Sequence, residues 1–184
     1  MNEKIKEAVE ALKNGGVIVY PTETVYGLGA DIFNEKAVKK IAGMKGWKEK
    51  RPISVALKED QIEDFAVVDD NSLELIDRLP GPMTLVLRKQ NKVPNWITET
   101  DYVGLRVPES ETAMLLAENF GPITSTSANV SGQKAPYKVE NIDERIKEKA
   151  DYILDEGETR YKAPSTVVKI NDDIEILRDG VLEI

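Results

Sequence analysis

The sequence contains no cysteine and no histidine among its 184 residues. The absence of cysteine excludes a disulfide scaffold, thiol redox chemistry, a cysteine nucleophile and thiolate metal sites. The absence of histidine excludes a Ser-His-Asp triad, a His-Cys zinc site and a histidine general base. Any chemistry must therefore come from carboxylates, lysines, arginines, hydroxyls, backbone amides or a hard cation bound by carboxylates.

Long apolar runs are missing as well. The N-terminal segment 1–6 is charged and lacks the apolar stretch of a signal peptide. No run approaches the roughly 18 apolar residues of a membrane-spanning helix. We therefore expect a cytoplasmic protein with no membrane partner. The length suits one domain, which we predict to cover residues 1–184.

The charge is unevenly distributed along the chain. The sequence has 25 basic and 33 acidic residues, a net charge of −8, which argues against coating nucleic acid with the whole surface. Residues 36–51 carry seven basic side chains and one acidic one, a net +6 that leaves −14 for the rest of the chain. Such a segment suits a polyanionic ligand. A lysine-rich solvated helix face is the simpler interpretation of the charge alone.

Apolar spacing predicts helices that alternate with strands over the first two thirds of the chain, followed by a hairpin. The predicted helices cover residues 3–14, 34–44, 70–79, 110–118 and 139–150. The predicted strands cover residues 17–20, 53–57, 83–87, 102–107, 122–126, 152–154, 165–170 and 174–177. For the helix at 70–79, Asp70 or Asn71 is the expected cap. The pattern predicts an α/β domain with one mixed sheet.

Two polar segments, Pro21–Gly29 and Ser125–Gly132, each follow a predicted strand. Ligands of α/β sheets bind at the carboxyl ends of strands, where hydroxyls and backbone N–H groups can hold a small polar molecule or phosphate oxygens. Neither segment is a Walker loop or a Rossmann glycine motif. Each could equally be a polar turn.

Arg106 and Arg178 stand alone within apolar strands, and Ser165 opens another strand. Arginine is the side chain best suited to bidentate recognition of carboxylate or phosphate. The alternative for each arginine is a strand-end side chain that extends to solvent.

The order of these segments identifies a family. The sequence closely resembles the YrdC-like family, the threonylcarbamoyl-AMP synthases, in its short single-domain form, from about residue 8 to 180. The motifs that carry the resemblance are Pro21-Thr-Glu-Thr-Val-Tyr-Gly-Leu, Lys45 before Pro52-Ile-Ser-Val, Pro80-Gly-Pro-Met-Thr-Leu-Val-Leu, Val103-Gly-Leu-Arg-Val-Pro, Thr126-Ser-Ala-Asn-Val-Ser-Gly, Pro164-Ser-Thr-Val-Val and Ile176-Leu-Arg-Asp-Gly.

The resemblance implies a twisted mixed sheet with flanking helices and a concave basic cavity, as in dihydroxybutanone-phosphate synthase. It implies a nucleotidyltransferase that forms threonylcarbamoyl-AMP and pyrophosphate from L-threonine, bicarbonate or CO2, and ATP, with Mg²⁺ carried on the phosphates and no metal ligand from the protein. The product serves threonylcarbamoyl modification of tRNA adenosine 37. The expected partners are these substrates and the downstream tRNA-modification enzymes, with contact to tRNA or other RNA left open.

The resemblance also matches functional residues of the family to individual positions of this sequence. The resemblance implies that threonine contacts Thr22, Arg106, Ser125 and Ser165. It implies an ATP site at Lys45, Ser127, Asn129 and Arg178, in which Lys45 and Arg178 neutralise phosphate charge during catalysis and Ser125 lies between the two ligands.

One position departs from the family. The Lys-x-Arg signature reads Lys45-Gly46-Trp47 here, and indole cannot donate two hydrogen bonds to a phosphate. Either nearby cations compensate, Arg51 among them, or Trp47 stacks on adenine. A frequent family histidine is also missing near Ala56. The alternative function is a nucleotide- or RNA-binding module of the same fold without synthase activity. A dihydroxybutanone-phosphate synthase is disfavoured because its chemistry needs histidine.

Overall fold

The computed structural model describes residues 2–171 and 173–184. Its strands are β1 Ile18–Pro21, β2 Tyr26–Gly29, β3 Ser54–Ala56, β4 Met83–Arg88, β5 Tyr102–Arg106, β6 Ile123–Ser127, β7 Tyr152–Ile153, β8 Thr166–Ile170 and β9 Ile174–Arg178. Its α-helices are α1 Glu3–Lys13, α2 Glu35–Met44, α3 Ile62–Phe65, α4 Asp70–Ile76, α5 Glu111–Asn119 and α6 Glu144–Lys147. Short 3-10 turns cover Glu59–Gln61 and Val139–Asn141. None of the helices in these described ranges is long and apolar enough to cross a membrane.

Side-chain caps begin the longer helices where the sequence predicts them. The Asn34 side chain accepts a hydrogen bond from the Ala37 backbone N–H at 3.2 Å, and Ser110 Oγ accepts one from the Ala113 N–H at 3.4 Å. Each cap satisfies a backbone donor that has no partner inside the helix. The prediction of helices after Asn34 and Ser110 is confirmed.

The nine strands form one sheet in the order β7-β1-β2-β6-β3-β5-β4-β8-β9. The pairs β1/β7, β3/β5 and β4/β8 are parallel, and the other neighbours are antiparallel. The predicted α/β class with a mixed sheet is therefore confirmed. The predicted hairpin between β8 and β9 is also present, although Asp172 in its turn lies outside the described residues, as does Met1.

Helices cover both faces of this sheet because alternate residues of a strand point to opposite sides. In and just before β1, Val17 and Val19 belong to the core cluster that includes α2, whereas Ile18 and Tyr20 belong to the cluster that includes α1 and α5. The sheet is thus packed against helices on both of its faces.

The prediction that residues 21–29 form one polar loop is wrong. Only residues 22–25 turn, and Tyr26–Gly29 is strand β2, which pairs with β1 and with β6. The Thr22 hydroxyl closes the turn by accepting from the Thr24 and Val25 N–H groups at 3.2 and 3.3 Å. Tyr26 and Leu28 are fully buried, so apolar burial favours the strand.

The predicted helix at 139–150 is broken into a 3-10 turn and α6. Ile142 between them is extended, and the Asp143 side chain caps α6 by accepting from the Arg145 N–H at 3.0 Å. The cap of α4 is Asp69, not Asp70 or Asn71, and α4 ends at Ile76. The helical segment from Glu59 to Phe65 was not predicted.

Candidate functional site

A cavity of about 190 Å³ lies where the β1–β2 turn and the ends of β3, β5, β6, β8 and β9 meet. Six of the residues singled out from the sequence line it: Thr22, Arg106, Ser125, Ser127, Ser165 and Arg178. They come from segments up to 156 positions apart, so only the folded sheet brings them together. Lys45, Arg51 and Asn129 do not line this cavity.

Arg106 is the last residue of β5 and is 6% exposed. Its Nη2 atom pairs with the Glu23 carboxylate and donates to Thr24 Oγ1 at 3.1 Å. Its Nε atom is buried and has no hydrogen-bond partner among the described residues. A buried donor without a partner is costly, so the described residues leave the hydrogen-bonding capacity of this guanidinium incompletely used.

Glu23 supports Arg106 from outside the cavity lining. Its other carboxylate oxygen accepts from the Ser110 N–H at 3.3 Å, at the start of α5. Sequence reasoning missed Glu23 as a functional residue, because only the folded chain places this buried carboxylate beside the Arg106 guanidinium.

Arg178 ends β9 and contacts the start of β8. Its Nε and Nη2 atoms donate to the Ser165 carbonyl at 3.1 and 2.7 Å, and Nη2 also lies 3.1 Å from Ser165 Oγ. Desolvation lowers the pKa of Arg178 below its usual value, and the positive charge of Arg106 lowers it further. Two guanidinium groups that repel across one cavity favour an anionic occupant.

The backbone at Gly180, just after β9, lies very close to the backbone at the start of β8. A Cβ atom on Gly180 would lie 2.2 Å from the Thr166 nitrogen and 2.6 Å from the Pro164 carbonyl oxygen. Thr84 Oγ1 lies 3.0 Å from Ser165 Oγ and also lines the cavity. Thr84 was missed because its strand reads as an ordinary apolar strand.

The hydroxyl of Thr22 is used by its own turn. It donates to the Val25 carbonyl at 2.7 Å while accepting the two turn N–H groups. The segment 155–164 braces the same turn: Thr159 Oγ1 donates to the Thr24 carbonyl at 2.7 Å, and the Tyr161 N–H donates to the Glu23 carbonyl at 2.9 Å. Thr22 thus shapes the cavity wall.

Lys45 is 4% exposed and turns toward the segment after β6. Its Nζ atom donates to the Ser127 carbonyl and, at 3.1 Å, to the Asn129 carbonyl. The Lys45 carbonyl accepts from the Ser131 N–H at 3.0 Å. Burial lowers the pKa of Lys45 to about 8. Lys45 therefore joins the end of α2 to the segment 127–131.

The other two predicted nucleotide contacts that do not line the cavity are Asn129, within this segment, and Arg51, beside it. The Asn129 side-chain amide donates to the Val130 and Gln133 carbonyls at 3.0 and 2.8 Å, and its Oδ1 atom is buried without a partner among the described residues. The exposed Arg51 lies 3.5 Å from Ser131 Oγ. These side chains surround the segment but do not reach into the cavity.

Metal ligands are scarce in this region. Across residues 2–171 and 173–184, no group of three or more Asp or Glu side chains is placed to hold a metal ion.

The fold and the cavity define an α/β protein with a polar cavity at the strand ends, lined by two arginines and several hydroxyl side chains. Residues 10–180 match the Sua5/YciO/YrdC family, whose description is "Telomere recombination". The chain belongs to this family.

Individual relatives agree with this assignment. The chain is 39% identical over 189 residues to a putative threonylcarbamoyl-AMP synthase of Methanocaldococcus jannaschii, covering 99% of this chain and 90% of the relative. It is similar to the crystal structure of Pyrococcus abyssi Sua5 complexed with L-threonine, with a TM-score of 0.89 and 37% identity over 96% of this chain, but it spans only 54% of that longer protein. Escherichia coli YciO matches with a TM-score of 0.88 and 29% identity over 97% of this chain and 90% of that one.

Proposed function

We propose that this protein is a threonylcarbamoyl-AMP synthase that forms its product and pyrophosphate from L-threonine, bicarbonate or CO2, and ATP. The observation that carries the proposal is the buried Arg106 guanidinium, whose Nε atom has no hydrogen-bond partner among the described residues, in a cavity that Arg178 also lines. The similarity to proteins named as synthases over nearly the whole chain supports it.

In this proposal the threonine carboxylate binds Arg106. Glu23 and Thr24 already contact the Nη2 atom and orient the guanidinium, so the hydrogen-bonding capacity that they leave unused is offered to the ligand. Ser125 and Ser165 offer hydroxyls to the ammonium and hydroxyl groups of the amino acid from neighbouring walls of the cavity. A cavity of about 190 Å³ suits an amino acid of this size.

The phosphates of ATP occupy the side of the cavity between Arg178 and Ser127. Lys45 and Asn129 contribute by holding the segment 127–131, of which Ser127 lines this side of the cavity. Mg²⁺ enters as part of the nucleotide substrate, bound to its phosphates.

The reaction needs no nucleophile from the protein. The threonine ammonium first loses a proton to solvent. The free amine then forms an N–C bond to CO2, releasing a second proton to solvent, or to bicarbonate, with loss of a water molecule, and gives an N-carboxylate. The carboxylate then attacks the α-phosphorus of ATP, and the bond to the β,γ-pyrophosphate breaks as pyrophosphate leaves. The protein positions the reactants and stabilises negative charge with fixed cations, which accounts for a chain without histidine or cysteine.

A second candidate is a nucleotide-binding module of this fold without synthase activity, favoured by Trp47 at the position of the signature arginine. The tRNA-modification enzymes that consume the product, a cytoplasmic location and any direct contact with tRNA belong to the proposal.

The experiment that decides between the two candidates is pyrophosphate release by the purified protein with ATP and Mg²⁺. A synthase releases pyrophosphate only when both threonine and bicarbonate are present. A binding module releases none in any mixture. Serine in place of threonine serves as the matched control, because it lacks only the methyl group.

A further inference from the structure

Both tryptophans of the chain line a surface pocket that the proposed reaction does not use. The pocket has a volume of about 230 Å³ and is formed by Trp47 and Trp96 with side chains of α2. Trp96 is 36% exposed, and its Nε1–H donates to the Ile32 carbonyl at 2.8 Å, which fixes the ring. Trp47 packs against the core and lies under Lys45 Nζ, 5.7 Å from the ring centroid. Two anchored aromatic rings at a surface offer stacking area at little entropic cost.

A single chain segment separates this pocket from the substrate cavity. Arg51 and Ile53 line the tryptophan pocket, whereas Pro52 and Ser54 line the cavity. Alternate residues of an extended segment point to opposite sides, so residues 51–54 form a wall between the two sites. Trp47 therefore does not replace the signature arginine inside the cavity but belongs to the neighbouring pocket.

Polar groups with distinct roles surround the two rings. Lys39 and Lys50 are held by Glu35 and Glu99, so their charges are partly compensated. Arg51 contacts a serine hydroxyl instead of a carboxylate, so its charge is open to an anion. The pocket belongs largely to the segment 36–51, which carries the net +6 of the sequence.

Asn95 adds a hydrogen-bonding edge beside Trp96. Its side chain is exposed and lines the pocket, and among the described residues its one side-chain hydrogen bond is a long one, accepted from Lys89 at 3.4 Å. An amide presents a donor and an acceptor side by side, the pattern that pairs with the N6 and N7 atoms of adenine. The two indole rings can stack on a base, the Asn95 amide can bond to its edge, and Arg51 can bind a phosphate. Together these groups are suited to a nucleotide.

We propose that the tryptophan pocket binds the base of a purine nucleotide, with its phosphates toward Arg51. The base stacks on Trp47 or Trp96, and Asn95 contacts its edge. The nucleotide is either the ATP substrate, reaching over the wall at residues 51–54, or a second nucleotide. Only the first source rests on the proposed function.

Tryptophan fluorescence reports on this pocket alone, because the chain has no other tryptophan. We expect saturable quenching by ATP, AMP and adenosine, and none by inorganic tripolyphosphate, which has the charge but no base. Asn95→Ala keeps both reporters and should weaken AMP binding about tenfold. Asn91→Ala, an exposed asparagine outside the pocket, is the matched control and should bind like the wild type.

The cavity variant Arg178→Ala distinguishes the two sources. If the substrate ATP supplies the base, this change weakens quenching by ATP at least about tenfold but leaves adenosine unaffected. If a second nucleotide supplies it, both titrations stay unchanged. The proposal is overturned if nucleotides do not quench, if tripolyphosphate quenches as well as ATP does, or if Asn95→Ala binds AMP with wild-type affinity. Because binding is measured without turnover, these outcomes do not depend on whether the protein releases pyrophosphate.

Discussion

The Glu23 carboxylate joins the Arg106 guanidinium to the start of α5. One of its oxygens pairs with Arg106 Nη2 and the other accepts the Ser110 N–H at 3.3 Å, and both charged side chains are almost fully buried. The pair therefore ties together the β1–β2 turn, β5 and α5 at the wall of the cavity. Glu23 orients the group that we propose to bind threonine without lining the cavity itself.

The first prediction concerns this pair. Glu23→Ala leaves Arg106 as a buried charge without its partner, and we expect a loss of about 3–5 kcal/mol in the free energy of unfolding. Glu23→Gln keeps the size and the acceptor oxygen, so its loss should be smaller, but Arg106 is held less firmly and the KM for threonine should rise more than that for ATP. Urea unfolding and initial-rate kinetics measure the two effects. Equal stability of Glu23→Ala and the wild type would show that the pair is not formed in solution.

The second prediction concerns Gly180. A methyl group there would meet backbone atoms at 2.2–2.6 Å, which no side-chain rotation can relieve. We expect Gly180→Ala to displace Arg178 from Ser165 and to reduce kcat at least about tenfold. Gly43→Ala is the control: nothing lies within 4 Å of the added methyl group, and alanine favours the helix α2. A Gly180→Ala protein with wild-type kcat and stability would refute this packing.

The third prediction concerns the charge of Lys45. Its folded pKa of about 8 lies below that of an unfolded lysine, so the native state binds the proton less tightly. Below pH 8 Lys45 is charged in both the folded and the unfolded protein, and burying this charge lowers the free energy of unfolding by its full amount. The destabilisation disappears as the pH rises toward about 10.4, because the folded protein then holds Lys45 neutral. The unfolding free energy of the wild type relative to Lys45→Met should therefore increase over this window, by on the order of 3 kcal/mol at most.

Urea unfolding of both proteins at pH 7 and pH 10 measures this difference, because the other titrating groups are common to the two proteins. A difference that is the same at both pH values would mean that Lys45 is exposed to solvent. The variant Lys45→Arg should not show the change, since arginine stays charged throughout.

Sequence patterns correctly predicted helices and caps that depend on contacts between residues close together in the chain. Asn34 and Ser110 cap their helices, and the apolar spacing of α1 and α2 places the buried faces correctly. Strand β2 was missed because glycines at positions 27 and 29 read as a loop. The Tyr20 ring packs against this strand, and a Cβ atom on Gly29 would lie only 3.0 Å from Tyr20 Cε1, so glycine fits best at position 29. Such a cross-strand contact leaves no local signal.

The same limit applies to the candidate site. Arg106 and Arg178 stood out because an arginine in an apolar strand is conspicuous by itself, and the structure places both in one cavity. The partner that orients Arg106 did not stand out, because Glu23 lies 83 positions from it in the sequence. Lys45 was singled out as a phosphate ligand, but its contacts with carbonyls 82 and 84 positions away depend on the folded sheet and left no local signal.

The most direct test of the account follows labelled carbon from bicarbonate into an AMP-linked product by mass spectrometry, in the wild type, Arg106→Ala and Arg88→Ala. Arg88 is an exposed arginine at the end of β4, away from the cavity, and serves as the control. The account predicts labelled threonylcarbamoyl-AMP from the wild type and Arg88→Ala, and at least about 30-fold less from Arg106→Ala at the same threonine concentration. Labelled product from Arg106→Ala at the wild-type rate, or no labelled product from the wild type, would contradict it.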